Sequence, residues 1–445
     1  MEYHRKVSKA AGAVGSMTLL SRFFGFMRDM VIATLFGSSA SADAFFVAFR
    51  IPNVQRRLLA EGAVSAAFIP VFSEYFNQQG ERRAWLLASN LLNILLFFLT
   101  IATVLLAVFA PAVITVFAPG FISQPEKFDL TVKLTRFMAP YLMFIGISAF
   151  CMGVLNACKV FALPAAAPVL LNISMITCGL IMAPHMEQPV FALATGVLIG
   201  GVLQFAIQLP STFDYGLKFQ WSINWKHPGV RKIGKLMIPA IFGLAFYEIN
   251  LMVDTLLASL LPSGSISYLY YANRIVQLPL GVFGVALSIA ILPMLSDQAA
   301  RNKISELRST IAFGIRFILF ITIPATAGLI ILRVPIINTL FERGEFLPET
   351  TQQTALALLY YSLGLCAFAG TKVIVSAFYS LQDTKTPMKV GIAAMVLNIV
   401  LNIILMGPLK HGGLALATSI SGMFNVFVLI FLLRKRLTRV NGKKI

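Results

Sequence analysis

Charge is what this sequence has least of. Aspartate, glutamate, lysine and arginine make up 12% of its 445 residues, about half the ~25% of an ordinary soluble domain. A chain so poor in charge cannot cover a soluble surface, which excludes a water-soluble domain of useful size. Histidine and cysteine are scarcer, four of each. Cys151, Cys158, Cys178 and Cys366 lie in or beside apolar segments and lack the paired spacing of a metal knuckle or disulfide framework. They read as small buried hydrophobes. His4, His185, His227 and His411 fall at the amino terminus or in loops, which argues against an intramembrane histidine site. No H-E-x-x-H motif and no glycine-rich phosphate loop ending in Gly-Lys-Ser/Thr occurs. A metallohydrolase and direct coupling to ATP are therefore not expected.

What is present in quantity is hydrophobic, 58% of all residues. Loop punctuation divides it into twelve spans, at about 10–36, 42–76, 84–117, 129–156, 161–183, 189–212, 230–261, 266–296, 304–338, 350–381, 386–407 and 411–434. About 20 apolar residues suffice to cross a bilayer. Each span is expected to be helical, because a helix satisfies its own backbone in lipid. The basic start and the Ala40-Ser41-Ala42 triplet have the outline of a signal peptide, but Arg22, Arg28 and Asp29 interrupt its apolar region. An uncleaved first span is expected.

The formal net charge is +18, which in a soluble protein would suggest nucleic acid. Placing the amino terminus inside puts 22 basic residues on the inner side, including the tail from Arg434 to Lys444, and only Lys127, Arg343 and Lys410 on the outer. That asymmetry predicts cytoplasmic termini. The basic loops and tail read as orientation signals and lipid-surface charge, and no nucleic-acid partner is expected.

The sequence repeats itself weakly. AFRI at 48–51 resembles ANRI at 272–275, IPVFSE at 69–74 resembles LPMLSD at 292–297, and VLLNI at 169–173 matches MVLNI at 395–399. ALAT at 192–195 recurs at 415–418, and Asp29 pairs with Asp254. All five lie 223 to 226 residues apart and in one order. The shift spans six helices, an even number, so the halves insert in the same orientation. That is the parallel-repeat plan of alternating-access transporters, with a site between the halves. We place the halves at 1–213 and 228–445, joined by a cytoplasmic linker at 214–227.

Basic residues remain inside the spans, where each costs about 2.5–3.5 kcal/mol at mid-bilayer on the lenient scale. Lys133, Arg136, Arg316 and Arg333 lie near span ends and can snorkel. Arg28, Arg50 and Arg274 are placed less well for that. Asp43, Arg50, Arg57 and Glu61 recur at seven, seven and four residues, one stripe within about 40° on an ideal helix. Asn53 lies beside it, Arg56 about 100° away from Arg57, and Pro52 can kink the helix and change that geometry. The first span adds Ser21, Arg22, Arg28 and Asp29 around Gly25. Arg22, Arg28, Arg50, Arg56, Arg57 and Arg274 face only Asp29, Asp43 and Glu61, a surplus of three positive charges. An anion with several oxygens would balance it, and the planar guanidinium fork suits phosphate.

The runs SMTLLSRFFGFMRDMVIATLFG, DAFFVAFRIPNVQRRLLAEGAVSAAFIPVFSEY, APVLLNIS, YYANRIVQLPLGVFGVAL and GPLKHGGLALATS resemble the MurJ (MviN) family of bacterial lipid II flippases over essentially the whole chain. The resemblance implies an all-α polytopic fold of the multidrug/oligosaccharidyl-lipid/polysaccharide (MOP) exporter type, two six-helix halves around a central cavity, in the bacterial inner membrane. It implies lipid II, an undecaprenyl diphosphate carrying a disaccharide-pentapeptide, as substrate, carried by a monomeric transporter involved in cell-wall biogenesis. By motif, the expected contacts are Ser21, Arg28, Asp29, Asp43, Asn53, Arg56, Arg57 and Arg274, with Arg22, Arg50 and Glu61 lining or gating the cavity. Some members carry a sodium site, whose positions here are Asp254, Asn398, Asn402 and Thr418. Hydrogen bonding between helices is an equally good reading of those four. Members commonly have fourteen spans, the last two forming a groove for the lipid tail, whereas this sequence reads as twelve. Two other functions compete: export of a drug or another lipid-linked glycan, and an enzyme acting on polyprenyl diphosphates. A cavity for cationic drugs would be rich in carboxylates, and an enzyme would need a nucleophile or metal cluster.

Overall fold

The computed structural model describes residues 2–58 and 64–442. Among these, all regular structure is helical, as the backbone accounting of lipid requires. The chain divides into two compact units, Met1–Met252 and Val253–Ile445.

The first unit contains α1 (Glu2–Phe36), α2 (Ala40–Arg56), α3 (Val64–Gln78), α4 (Glu81–Val108), α5 (Ala110–Phe117), α6 (Pro125–Met138), α7 (Tyr141–Ala157), α8 (Ala162–Met182), α9 (Val190–Ala206), α10 (Leu209–Asp214) and most of α11 (Pro228–Ser259). Local chemistry sets the breaks. Gly37 adopts φ 51° after α1, and Ser39 then caps α2 by accepting the Ala42 N–H at 3.2 Å. The long second span is not one uninterrupted α-helix. Pro52 deprives α2 of a backbone donor, and the α-helix ends at Arg56 in a wider turn at 57–58. Glu61 lies outside the described residues. The core is built by α3, α4 and α7, where Phe68, Phe72, Trp85 and Phe150 are buried together. Helices α8 and α9 meet more closely still. A Cβ on Gly196 would lie 2.7 Å from Met175 Cα, and one on Gly200 2.8 Å from Leu171 Cα. This is the small-xxx-small contact that replaces hydrophobic driving force between helices in lipid.

The second unit contains α12 (Ser265–Pro279), α13 (Ala286–Ala300) after a π turn, α14 (Ile304–Ile331), α15 (Arg333–Phe341), α16 (Pro348–Leu363), α17 (Leu365–Ser380) and α18 (Lys385–Gly442). The last is two helices joined at Lys410, whose backbone is non-helical at φ 49°. Ile291, Leu295, Ile374, Phe378 and Leu429 form its core.

The internal repeat is visible in the elements themselves. Ala40 and Ser265, Glu81 and Ile304, Ala110 and Arg333, Pro125 and Pro348, and Tyr141 and Leu365 open corresponding helices 223 to 225 residues apart. Both units bend at the same place, by 41° between α6 and α7 and by 40° between α16 and α17. Among the described residues, six helices are long and apolar enough to cross a membrane, and the bent pairs raise this to eight. Counting α18 as two spans and adding α1, the α2–α3 pair and α11 gives the expected twelve. Those three additions carry Arg22, Arg28, Asp29, Asp43, Arg50, Arg56, Glu248 and Asp254.

Candidate substrate-binding site

Arg28 on α1 is held rigidly. Its Nε and Nη2 donate to Asp29 Oδ1 at 3.1 and 2.6 Å, and its Nη1 donates to Asn172 Oδ1 on α8 at 3.1 Å. Asn172 in turn donates to the Ser21 carbonyl at 3.3 Å. Asp29 is fully buried and the Arg28 side chain is 11% exposed. Ser21, Arg28 and Asp29 are thus brought together by one α8 amide. Arg22 is exposed on the same helix.

The stripe on α2 meets two neighbours. Toward one end, Asp43 accepts from Lys127 Nζ of α6 at 2.8 Å, and that ammonium also lies 4.2 Å from the Phe121 ring centroid. The two side chains are 2% and 4% exposed. Toward the other end α2 meets α11. Arg50 Nη1 donates to the Leu251 carbonyl at 3.1 Å, and Arg57 Nη1 donates to Glu248 Oε1 at 3.1 Å. Arg56 Nε donates to Asn53 Oδ1 at 3.0 Å, one turn back on its own helix. Arg56 and Ser21 also line a cavity of about 400 Å³ within this unit, together with Ser148, Asn156, Gln204 and Gln208.

Three residues that sequence reasoning missed complete the arrangement. Lys127 belongs to the first turn of α6 and is buried; it is not a free loop cation. Only its pairing distance from Asp43, 84 residues away, reveals that. Glu248 is the one acidic residue between Asp214 and Asp254, a signal available in the sequence. Asn172 sits in the repeated VLLNI motif, where the matching residue is Asn398. Adding Lys127 and Glu248 to the charges counted from the sequence, which include Arg274 and Glu61, leaves the surplus at three.

The second unit holds Arg274 on α12, half-buried, and brings the four expected ion-site residues together. Asn402 Nδ2 donates to Asp254 Oδ1 at 2.7 Å and to Asn398 Oδ1 at 3.0 Å. Asn398 Nδ2 approaches Thr418 Oγ1 at 3.4 Å. No cluster of three His, Cys, Asp or Glu side chains occurs among the described residues. The cluster therefore offers one carboxylate with amide and hydroxyl oxygens, a set suited only to a hard cation.

An internally repeated helical membrane protein with half-buried arginines on its charged helices has the make-up of a parallel-repeat transporter. The chain belongs to the family described as lipid II flippase MurJ, whose family model matches residues 32–445. It is 42% identical to the "Probable lipid II flippase MurJ" of Vibrio cholerae over 96% of this chain and 82% of that protein. It is 37% identical to the "Lipid II flippase MurJ" of Burkholderia cenocepacia over 96% of this chain and 84% of that one. Among solved structures it is similar to "Lipid II flippase MurJ, inward closed conformation", with a TM-score of 0.84 and 30% identity over 96% of this chain and 89% of the other. An inward-facing MATE transporter of the MOP superfamily superposes with a TM-score of 0.80 at 14% identity, over 98% of this chain and all of that one. That likeness concerns the fold alone.

Proposed function

We propose that this chain moves lipid II from the inner to the outer leaflet of the bacterial inner membrane by alternating access of its two halves, with both termini in the cytoplasm. Membership of the family makes it a transporter and not an enzyme. In this reading the diphosphate is gripped by Arg28, Arg56 and Arg57 of the first unit and Arg274 of the second, with Ser21, Asn53 and Arg50 beside them. The observation that carries it is the fixed Arg28 guanidinium, tied through Asn172 to Ser21, which lines one cavity with Arg56. Asp29 and Asn172 hold that guanidinium in place before any ligand arrives, which lowers the ordering cost of binding. Transport without ATP chemistry would draw on the membrane potential, worth about 2.3 kcal/mol per charge per 100 mV, or on an ion gradient.

The test is reconstitution into liposomes with labelled lipid II, measuring its accessibility on both leaflets. Arg28→Ala and Arg274→Ala should abolish flipping at normal membrane levels, because each removes a charge-assisted contact worth about 1.5–3 kcal/mol. Full activity of either variant would sink this reading of the site. Cysteines placed singly at positions 50, 53 and 57 should react with a water-soluble thiol reagent, and lipid II should protect them.

A second reading concerns sodium, and the repeat favours it. In the first unit Arg28 supplies a positive charge to Asp29 and Asn172. The repeat places Val253, Asp254 and Asn398 at the matching positions. A monovalent cation bound by oxygens of Asp254, Asn398, Asn402 and Thr418 would take the part that the guanidinium plays in the first unit.

A further inference from the structure

All three tryptophans of the chain lie in one small region, and transport as described above uses none of them. Trp85 is on α4; Trp221 and Trp225 are on the segment 217–227 between α10 and α11. This segment has no helix of its own. It lies along α4 as a strap, fastened by three polar side chains of that helix. Ser89 Oγ donates to the Gln220 carbonyl at 3.0 Å and accepts from its N–H at 2.9 Å. Asn90 does the same to Asn224, at 3.0 and 2.7 Å. Asn93 Nδ2 reaches the carbonyls of Gln220 and Ser222 at 2.6 and 3.0 Å. The start of the strap is fixed by buried Leu217 in the core and by Gly216, where a Cβ would lie 2.8 Å from Trp85 Nε1.

The strap's sequence, KFQWSINWK at 218–226, alternates strictly between polar and apolar, the period of extended chain. Its backbone is spent on α4, while the apolar set Phe219, Trp221, Ile223 and Trp225 stays exposed, Trp221 by 76%. Trp225 packs edge-on against Phe97 and Phe98 of α4, at 6.0 and 5.4 Å between ring centroids. Those phenylalanines are themselves exposed and stand at the start of the apolar run that follows Asn93. Tryptophan at that boundary is the mark of a membrane interface. The charge is one-sided: Lys218 and Lys226 bracket the apolar residues, Arg231, Lys232 and Lys235 follow, and no acidic residue occurs from Tyr215 to Tyr247.

We propose that this strap is a binding surface for anionic phospholipids of the leaflet that faces the basic loops, with Trp221 and Trp225 seated among the headgroups and Lys218 and Lys226 on the phosphates. A neutral interface would call for the aromatic edge alone; the unbroken positive sign selects the anionic lipid. The surface also has a route to the transport site within the same unit. The strap leads into α11, whose first turns are pinned by buried Ile233 and by the Lys232–Glu74 ion pair at 2.5 Å. The same helix carries Glu248 and the Leu251 carbonyl, which hold Arg57 and Arg50.

Tryptophan fluorescence reads this surface directly. The full chain carrying Trp85→Phe, so that only Trp221 and Trp225 emit, is placed in nanodiscs of mixed phosphatidylcholine and phosphatidylglycerol, with one or the other brominated on its acyl chains. At equal mole fraction, brominated phosphatidylglycerol should quench more strongly. Lys218→Gln with Lys226→Gln should weaken the apparent affinity for the anionic lipid about thirtyfold and raise quenching by brominated phosphatidylcholine, which takes the vacated places. Circular dichroism and melting of the variants establish that they remain folded. Equal quenching by the two lipids would overturn the headgroup selectivity. No quenching by either would mean that the aromatic edge does not meet lipid, and would overturn the proposal outright.

Discussion

Replacing Lys127 with methionine separates two roles for Asp43. Sequence reasoning set Asp43 in the wall of a substrate cavity; the structure buries it against Lys127 at 2.8 Å, with the side chains 2% and 4% exposed. Removing one partner of such a pair strands the other charge in a dry site, at a cost of about 3–5 kcal/mol. Loss of the Phe121 contact adds about 0.5–2 kcal/mol. For a unit of this size each kcal/mol corresponds to roughly 2–4 °C in melting temperature, so Lys127→Met should lower it by roughly 7–28 °C. The double variant Lys127→Met/Asp43→Leu should recover most of the loss, since apolar replacement of a whole buried pair is often neutral. Melting of the purified chain in detergent and in nanodiscs completes the double-mutant cycle, with lipid II binding measured alongside. If Lys127→Met leaves the melting temperature unchanged while Asp43→Asn weakens lipid II binding, Asp43 serves the substrate and the structural reasoning fails.

Other expectations follow from single contacts. Gly196→Val should destabilise the first unit by about 1–3 kcal/mol or more, because its side chain would meet the Met175 backbone at 2.7 Å; a variant that melts like the parent would show that α8 and α9 can part cheaply. Sodium should raise the melting temperature of the parent but not of Asp254→Asn, and lithium or potassium at the same ionic strength controls for salt; identical responses leave Asp254, Asn398 and Asn402 as a structural hydrogen-bond cluster. Asp383, in the loop before α18, is pushed up by burial but pulled further down by hydrogen bonds from the Thr386 backbone and hydroxyl and by Arg436, so its carboxyl sits below the ordinary range. Its contribution is therefore complete above the unfolded value of about 3.9 and is lost as pH falls through the lower native one. Asp383→Asn should flatten that acid limb of stability, and an unchanged acid limb would count against the assignment.

The architecture was largely legible in the sequence because the features that fix it are local. Span length and loop punctuation each need only a window of the chain. The shift seen in the five repeat matches recurs, at 223 to 225 residues, between helix starts and in the matching bends near Pro140 and Gly364. Where the local reading fell short, the end of a helix was responsible. The regular α-helix of α2 stops at Arg56 and passes into a wider turn at 57–58, so one ideal stripe does not extend past Arg56. The strap was missed for another reason: its period-two pattern sits in a segment that loop length and lysine content mark only as a linker.

Partners of buried charges were beyond reach for a physical reason that bears on how the site works. Arg57 and Glu248 are 191 residues apart, Arg28 and Asn172 are 144 apart, and Asp43 and Lys127 are 84 apart. Helical periodicity can say which face a charge occupies, but not which helix it meets. Counting charges still produced a surplus of three, because the two omissions had opposite sign: Lys127 and Glu248 enter together. The consequence is that neutralisation within the first unit is not a matter of tally but of location. Asp43 is spent on Lys127 in a dry contact, Asp29 is spent on orienting Arg28, and Glu248 reaches Arg57, whose side chain remains 36% exposed. Of these three carboxylates, Glu248 bears on the cation with the most exposed side chain, so among the described residues it is the one whose partner an incoming diphosphate can most readily reach.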